Sequence, residues 1–316
     1  MAIGESYRKV NYELRPAKQI ERRMMVDVLM KLSTVGFQIS EYVYVGFGSV
    51  FFVDYTLFHK FLGIRRMVSI EGGSNVERRV HFNKPYDFVD IYIGDFSSYV
   101  QSLQGMNEVI LWLDFDNVLD SSMVRDLDSA VGYLKSNSII IATVDSEPPG
   151  SEKDGPAEWF SHFNEVAPAE AAEFASAEAP DRIARRHISK LNQTILERRL
   201  QEACNYSGRE YFPLFNFFYG DGHDMLTVGG IILDSDADRS NIRGAIDNLP
   251  FIRAQTGMEH YSIRVPNLTR KERIYLDSCM PCADGWLPEE FEMLPGEPEH
   301  YRELFKYLPA YAELLL

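Results

Sequence analysis

A glycine pair and a series of carboxylates are the residues of this sequence whose types and spacing could do chemistry. Gly46-Phe47-Gly48-Ser49 follows directly on the apolar run YVYVG, Glu71 ends MVSIE, Asp95 follows FVDIYIG, and Asp114 ends VILWLD and opens Asp114-Phe115-Asp116-Asn117. Glycines at such a bend let backbone approach a ligand where a Cβ would collide. An acid at the end of the next strand can accept hydrogen bonds from both hydroxyls of a ribose. Asp114 or Asp116, with Asp145 after IIIATV, offers oxygen donors of the type that bind a divalent cation. The favoured reading of the same acids is that they cap helices or hold a cofactor's amino group. Turns favour acids and glycines anyway, so the weight lies on the set, which stands at four successive strand ends.

The elements that must position these residues are short continuous runs rich in Val, Ile and aromatics: 42–46, 67–71, 88–94, 109–114 and 138–145. Such runs mark buried parallel strands, and the stretches between them, at 50–62, 74–82, 96–104 and 120–135, have the length of right-handed helical crossovers. FPLFNFFYGDGHDMLTVGGIILD then gives two β-rich runs joined by Asp221-Gly222-His223-Asp224, a connection too tight for anything but an antiparallel hairpin. The expected fold is α/β: a Rossmann-like doubly wound sheet of five parallel strands plus a closing antiparallel hairpin, with helices on both faces. Before it, Pro16 opens a helix with Ile20, Met24 and Val28 on one buried face, and Arg15, Lys18 and Arg22 along an edge that is either a solvated rim or an anion-facing patch. The chain divides into an N-terminal helical segment (1–40), the Rossmann-like domain (41–235) and an α-rich extension (236–316). Residues 146–182 are an insertion or lid within the domain, and a clear helix follows at 183–204. In the extension, helices are expected near 238–247 and 268–278, and the aromatic tail YRELFKYLPAYAELLL packs back on the body or on a partner subunit.

The layout resembles the class I S-adenosylmethionine-dependent methyltransferases, and in particular a bacterial group of O-methyltransferases, over residues 40–235. The closing antiparallel hairpin separates those enzymes from nicotinamide dehydrogenases. The resemblance implies that Tyr44, Gly46, Phe47, Gly48 and Ser49 form the cofactor loop, that Gly46 and Gly48 underlie the methionine part, and that Glu71, with Gly72, holds the ribose. It also implies that Asp95 and Phe96 flank the adenine and that Asp114 faces the reacting methyl. Two positions depart from the family pattern: Tyr44 stands where an acid is usual, and Val50 where a third glycine is usual.

Methyl transfer from a sulfonium is an in-line displacement, so few residues are obligatory beyond those that align the partners and manage the acceptor's proton. Asp114, Asp116 and Lys18 are the candidates at the reaction centre, the edge at Arg15, Lys18 and Arg22 being placed to clamp an anionic acceptor. His223 in the hairpin turn and His59 are weaker candidate bases. Oxygen of a small or medium-sized acceptor is the expected target. The alternatives are a catalytically inactive cofactor-binding module that works through protein partners, and an RNA methyltransferase. No Asn/Asp-Pro-Pro-aromatic element follows the fourth strand, and the net charge of −15 disfavours a polyanion partner, although residues 1–35 hold seven basic side chains against four acidic ones.

Three cysteines do not make a disulfide framework, and Cys279-Met-Pro-Cys282 is half a zinc motif or a plain loop. No run approaches the length of a membrane span, and MAIGESYRKVNYELRP lacks the apolar core of a secretory signal, so a cytoplasmic protein is expected. The C-terminal region is the expected surface for a homo-oligomer or protein partner.

Overall fold

The computed structural model describes residues 15–72, 76–151, 153–177, 179 and 182–309. Arg8 and Lys9 of the basic leading segment and residues 310–316 of the aromatic tail lie outside the described residues.

Strands β1 (Val43–Gly46), β2 (Arg66–Glu71), β3 (Val89–Ile93), β4 (Val109–Val118) and β5 (Ile139–Asp145) are mutually parallel. β6 (Arg209–Gly220) and β7 (Asp224–Asp234) form the hairpin, and β7 lies antiparallel to β5. With β8 (Tyr261–Ile263) the sheet order is β3-β2-β1-β4-β5-β7-β6-β8. The order reverses between β1 and β4, and a doubly wound sheet opens its ligand crevice at that switch, beyond the carboxyl ends of the strands.

Side-chain alternation along the strands builds two cores. Tyr44, Ile110 and Trp112 point into one layer, with α1 (Pro16–Ser33) and α2 (Val53–Leu62). Val45, Leu111 and Leu113 point into the other, with α5 (Ser121–Tyr133) and α8 (Arg185–Tyr206). Burial on both faces explains why these strands read as unbroken apolar runs.

Three features go beyond the expected layout. The sheet does not stop at the hairpin, because β8, from the C-terminal region, pairs parallel with β6. A three-residue strand is too short to announce itself by alternation. The insertion is largely two helices, α6 (Pro156–Val166) and α7 (Pro168–Ala177). β4 runs past Asp114, but from Asp114 (opposite Thr143) to Val118 (opposite Asp145) its register shifts, so Phe115, Asp116 and Asn117 bulge at the carboxyl edge. Bulges of this kind re-aim side chains beside functional sites.

α3 (Glu77–Asn83) lies in the crossover between β2 and β3, and the helix expected over 96–104 is one turn, α4 (Phe96–Tyr99), continued by 3₁₀ turns over Val100–Gly105. The extension holds α9 (Arg239–Ile246), α10 (Arg270–Cys279) and α11 (Glu297–Leu304). Its end crosses the outer side of α1: Arg23 Nη1 donates to the Leu308 carbonyl at 2.7 Å, and Tyr307 Oη to Asp27 Oδ2 at 2.6 Å. α1 is therefore covered on both sides.

Candidate active site

The bend after β1 is strained. Ser49 and Phe52 adopt left-handed φ values of 51° and 48°, which for non-glycine residues costs on the order of 1–3 kcal/mol each and persists only where surroundings enforce it. The fully buried Phe52 supplies the N-cap of α2 without a side-chain hydrogen bond, its ring edge-on to Tyr55. Tyr55 Oη lies 2.8 Å from the Gly46 carbonyl and 3.0 Å from that of Val68, which ties the loop's first residue to β2.

Glu71 converges on that bend. It is 8% exposed, accepts from Ser69 Oγ at 2.7 Å, and receives the backbone N–H groups of Gly48 and Ser49. Burial pushes its carboxyl up to about 7 despite these donors. A Cβ on Gly48 would collide with Ser69 Oγ and come within 3.1 Å of Glu71 Oε1. One on Gly46 would come within 2.8 Å of Tyr44 Oη. Both glycines are thus required first by the protein's own side chains, where ligand approach alone was the expected reason.

The basic edge of α1 is corrected outright: it is neither a solvated rim nor a free anion clamp. Lys18 is fully buried, its Nζ 2.8 Å from Asp114 Oδ1, 3.0 Å from Glu21 Oε2, 3.0 Å from Tyr219 Oη and 4.5 Å from the centre of the Trp112 ring. Arg22 Nε pairs with Asp54 Oδ1 at 2.5 Å, and Tyr44 Oη donates to Asp54 Oδ2 at 3.2 Å. Asp221 of the hairpin turn accepts the amides of Ala17 (3.2 Å) and Lys18 (3.0 Å), capping the first turn of α1, with Arg15 Nε 3.9 Å away. Burial drives the Asp114 carboxyl upward, but Lys18, Arg22 and Arg15 outweigh it and hold Asp114 below its ordinary value. Glu21 shifts upward: burial dominates and Lys18 only partly offsets it.

Of the other expected residues, Tyr44 is a fully buried core side chain whose hydroxyl meets Asp54. Phe47 packs edge-on to Phe115 (5.6 Å) and Phe96 (6.5 Å), so aromatic rings link the ends of β1, β3 and β4. Asp95, Gly72 and Asp116 are exposed. Asp145 Oδ2 lies 3.8 Å from His223 Nδ1 in the hairpin turn, whereas His59 is held by the Ile64 carbonyl and packs at a tilt against Tyr86 and Phe88. Among the described residues no three His, Cys, Asp or Glu side chains gather to hold a metal, and an ammonium already occupies Asp114. Cys279 and Cys282 are free and half-buried.

The profile of a family described as "Putative O-methyltransferase" matches residues 10–316. The chain belongs to that family. Its Rossmann-like sheet with a closing hairpin is the class I methyltransferase fold. No curated protein matches the chain. Among solved structures it is similar to a transferase from Pyrococcus horikoshii, with 10% identity over 66% of this chain and 64% of that one at a TM-score of 0.38. Trm1 from the same organism, in complex with S-adenosyl-L-methionine, shares 12% identity over 74% of this chain and 58% of its own at 0.43. Fibrillarin, a pre-rRNA processing protein of Methanococcus jannaschii, shares 11% over 63% and 69% at 0.37. The family match and the strand order carry the assignment; these partial superpositions do not.

Sequence reasoning missed Glu21, Asp54, Ser69, Tyr55, Tyr219 and Asp221. Glu21 had a local signal, three residues from Lys18 on the same helix. Asp54, Tyr219 and Asp221 meet α1 from distant segments, and no spacing in the chain betrays that.

Proposed function

We propose that this chain binds S-adenosylmethionine along the carboxyl edge of β1 to β4 and transfers its methyl group to an oxygen of a small acceptor, in the cytoplasm. The observation that carries this reading is the meeting of Glu71 with the Gly48 and Ser49 amides at one point of the strand-order switch. When bound, the cofactor supplies the electrophilic methyl. Glu71 accepts from the ribose hydroxyls, Phe47, Asp95 and Phe96 flank the adenine, and Asp114 with Asp116 borders the reacting centre. Asp114, kept ionised by Lys18, is the group that accepts a hydrogen bond from the acceptor hydroxyl and orients it.

The electrostatics favour a neutral or cationic acceptor over an anionic one. The described cations of α1 that face this edge are matched by Asp114, Glu21, Asp54 and Asp221. Beyond them carboxylates crowd one another: burial, then Asp120 and Asp95, push Asp126 up to about 6 against Arg125, and Asp145 is raised by burial with Glu147 and Asp224 beside it. Among the described residues no helix is long and apolar enough to cross a membrane.

The test is S-adenosylhomocysteine production from S-adenosylmethionine with a desalted small-molecule extract and, separately, with total RNA, using Asp114→Asn as control. Turnover with the small-molecule pool alone supports the reading. Turnover with RNA alone contradicts it.

A further inference from the structure

We propose that the Arg22–Asp54 ion pair, with Tyr44, is the bolt that holds the loop between Gly46 and Val53 in its cofactor-receiving shape, so that α1 governs cofactor affinity without touching the cofactor. The inference rests on the cofactor reading above and adds positioning residues to it.

The loop carries left-handed Ser49 and Phe52 and has no side-chain cap at the start of α2, so something outside it must enforce its course. The two residues that follow Val53 do so. Asp54, 5% exposed, ties α2 to α1 through Arg22 and to β1 through Tyr44. Tyr55 ties α2 to the carbonyls of Gly46 and Val68. The far side of the same loop presents the Gly48 and Ser49 amides to Glu71. A shift of α2 therefore moves the donors that define the cofactor end of the crevice. Buried ion pairs seldom stabilise a fold more than apolar side chains of the same volume, so a wholly buried arginine here is better explained by geometry than by stability. The pair also supplies, from α2, an acid whose carboxylate meets the hydroxyl of Tyr44.

The test combines hydrogen exchange with titration of S-adenosylmethionine and S-adenosylhomocysteine into wild type, Arg22→Met, Arg22→Lys and Asp54→Asn. Faster exchange in residues 46–52 with β4 and β5 unchanged is expected, together with a loss of about tenfold in affinity, the same for both ligands because the loss acts through the loop and not through the sulfonium charge. Arg22→Lys falls between wild type and Arg22→Met. Wild-type loop exchange in Arg22→Met and Asp54→Asn overturns the proposal, as does weakened binding with the loop's exchange unchanged. Should Arg22→Met fail to fold, the near-isosteric Asp54→Asn and Arg22→Lys decide by the same readouts. If wild type binds neither ligand, the cofactor reading falls, while loop exchange still judges the bolt.

Discussion

The fully buried Lys18 Nζ lies 2.8 Å from Asp114 Oδ1, so the ammonium expected to meet a substrate meets a strand-end carboxylate instead. A fixed ion pair at the end of β4 keeps this acid charged and leaves no unmatched ammonium at Lys18 to recognise an anionic acceptor.

Removing one member of this pair leaves a buried charge unmatched. Lys18→Met is expected to lower unfolding free energy by about 3–5 kcal/mol. Lys18→Met combined with Asp114→Asn should recover a substantial part, a coupling that urea denaturation of the double-mutant cycle measures. Additive losses would mean that the two groups act independently.

Glu71 ties stability to pH. Its folded value, about 7, lies above the ordinary 4.5, so the folded state holds the proton more tightly and stability falls as pH rises from about 4.5 to 7, then levels. The full difference corresponds to about 3 kcal/mol, and Glu71→Gln should abolish that slope in denaturation curves taken from pH 4.5 to 8. If the ribose hydroxyls bind the ionised carboxyl, cofactor binding at pH 6 releases a proton. Calorimetry in buffers of different ionisation enthalpy will detect it in wild type and not in Glu71→Gln.

Gly48→Ala puts a methyl against Ser69 Oγ and Glu71. The loop must shift, so affinity for S-adenosylhomocysteine should drop at least tenfold, about 1.4 kcal/mol. Adding Ser69→Ala removes the nearest colliding atom and should restore part of the affinity. No recovery would place the collision elsewhere.

Because Asp114 is engaged by Lys18, chelation should leave cofactor affinity unchanged. A titration repeated after exhaustive EDTA treatment and with added magnesium checks this; a metal-dependent affinity would mean that Asp114 exchanges its ammonium for a cation.

What the chain discloses locally and what it conceals divide along physical lines. The strands up to β5 and the hairpin are written in continuous apolar runs and one tight turn, and the strand-end positions of Gly46, Glu71 and Asp114 follow from those runs. The burial of α1 was not legible, since its outer cover comes from Tyr307 and Leu308 and its inner partners from β4, α2 and the hairpin turn. Periodicity showed the apolar face, but Lys18 and Arg22 on the flank look solvated until a second layer is placed over them. The shift in β4 was hidden for a similar reason, as Phe115 and Asp116 carry no bulge signature of their own.

The most direct measurement is calorimetric titration of S-adenosylmethionine into wild type and Glu71→Ala, with folding of both checked by circular dichroism. Wild type should bind in the micromolar range and the variant should lose roughly 1–3 kcal/mol, the cost of buried hydroxyls left unpaired. Equal binding by the two folded proteins, or none by wild type, would contradict the cofactor reading.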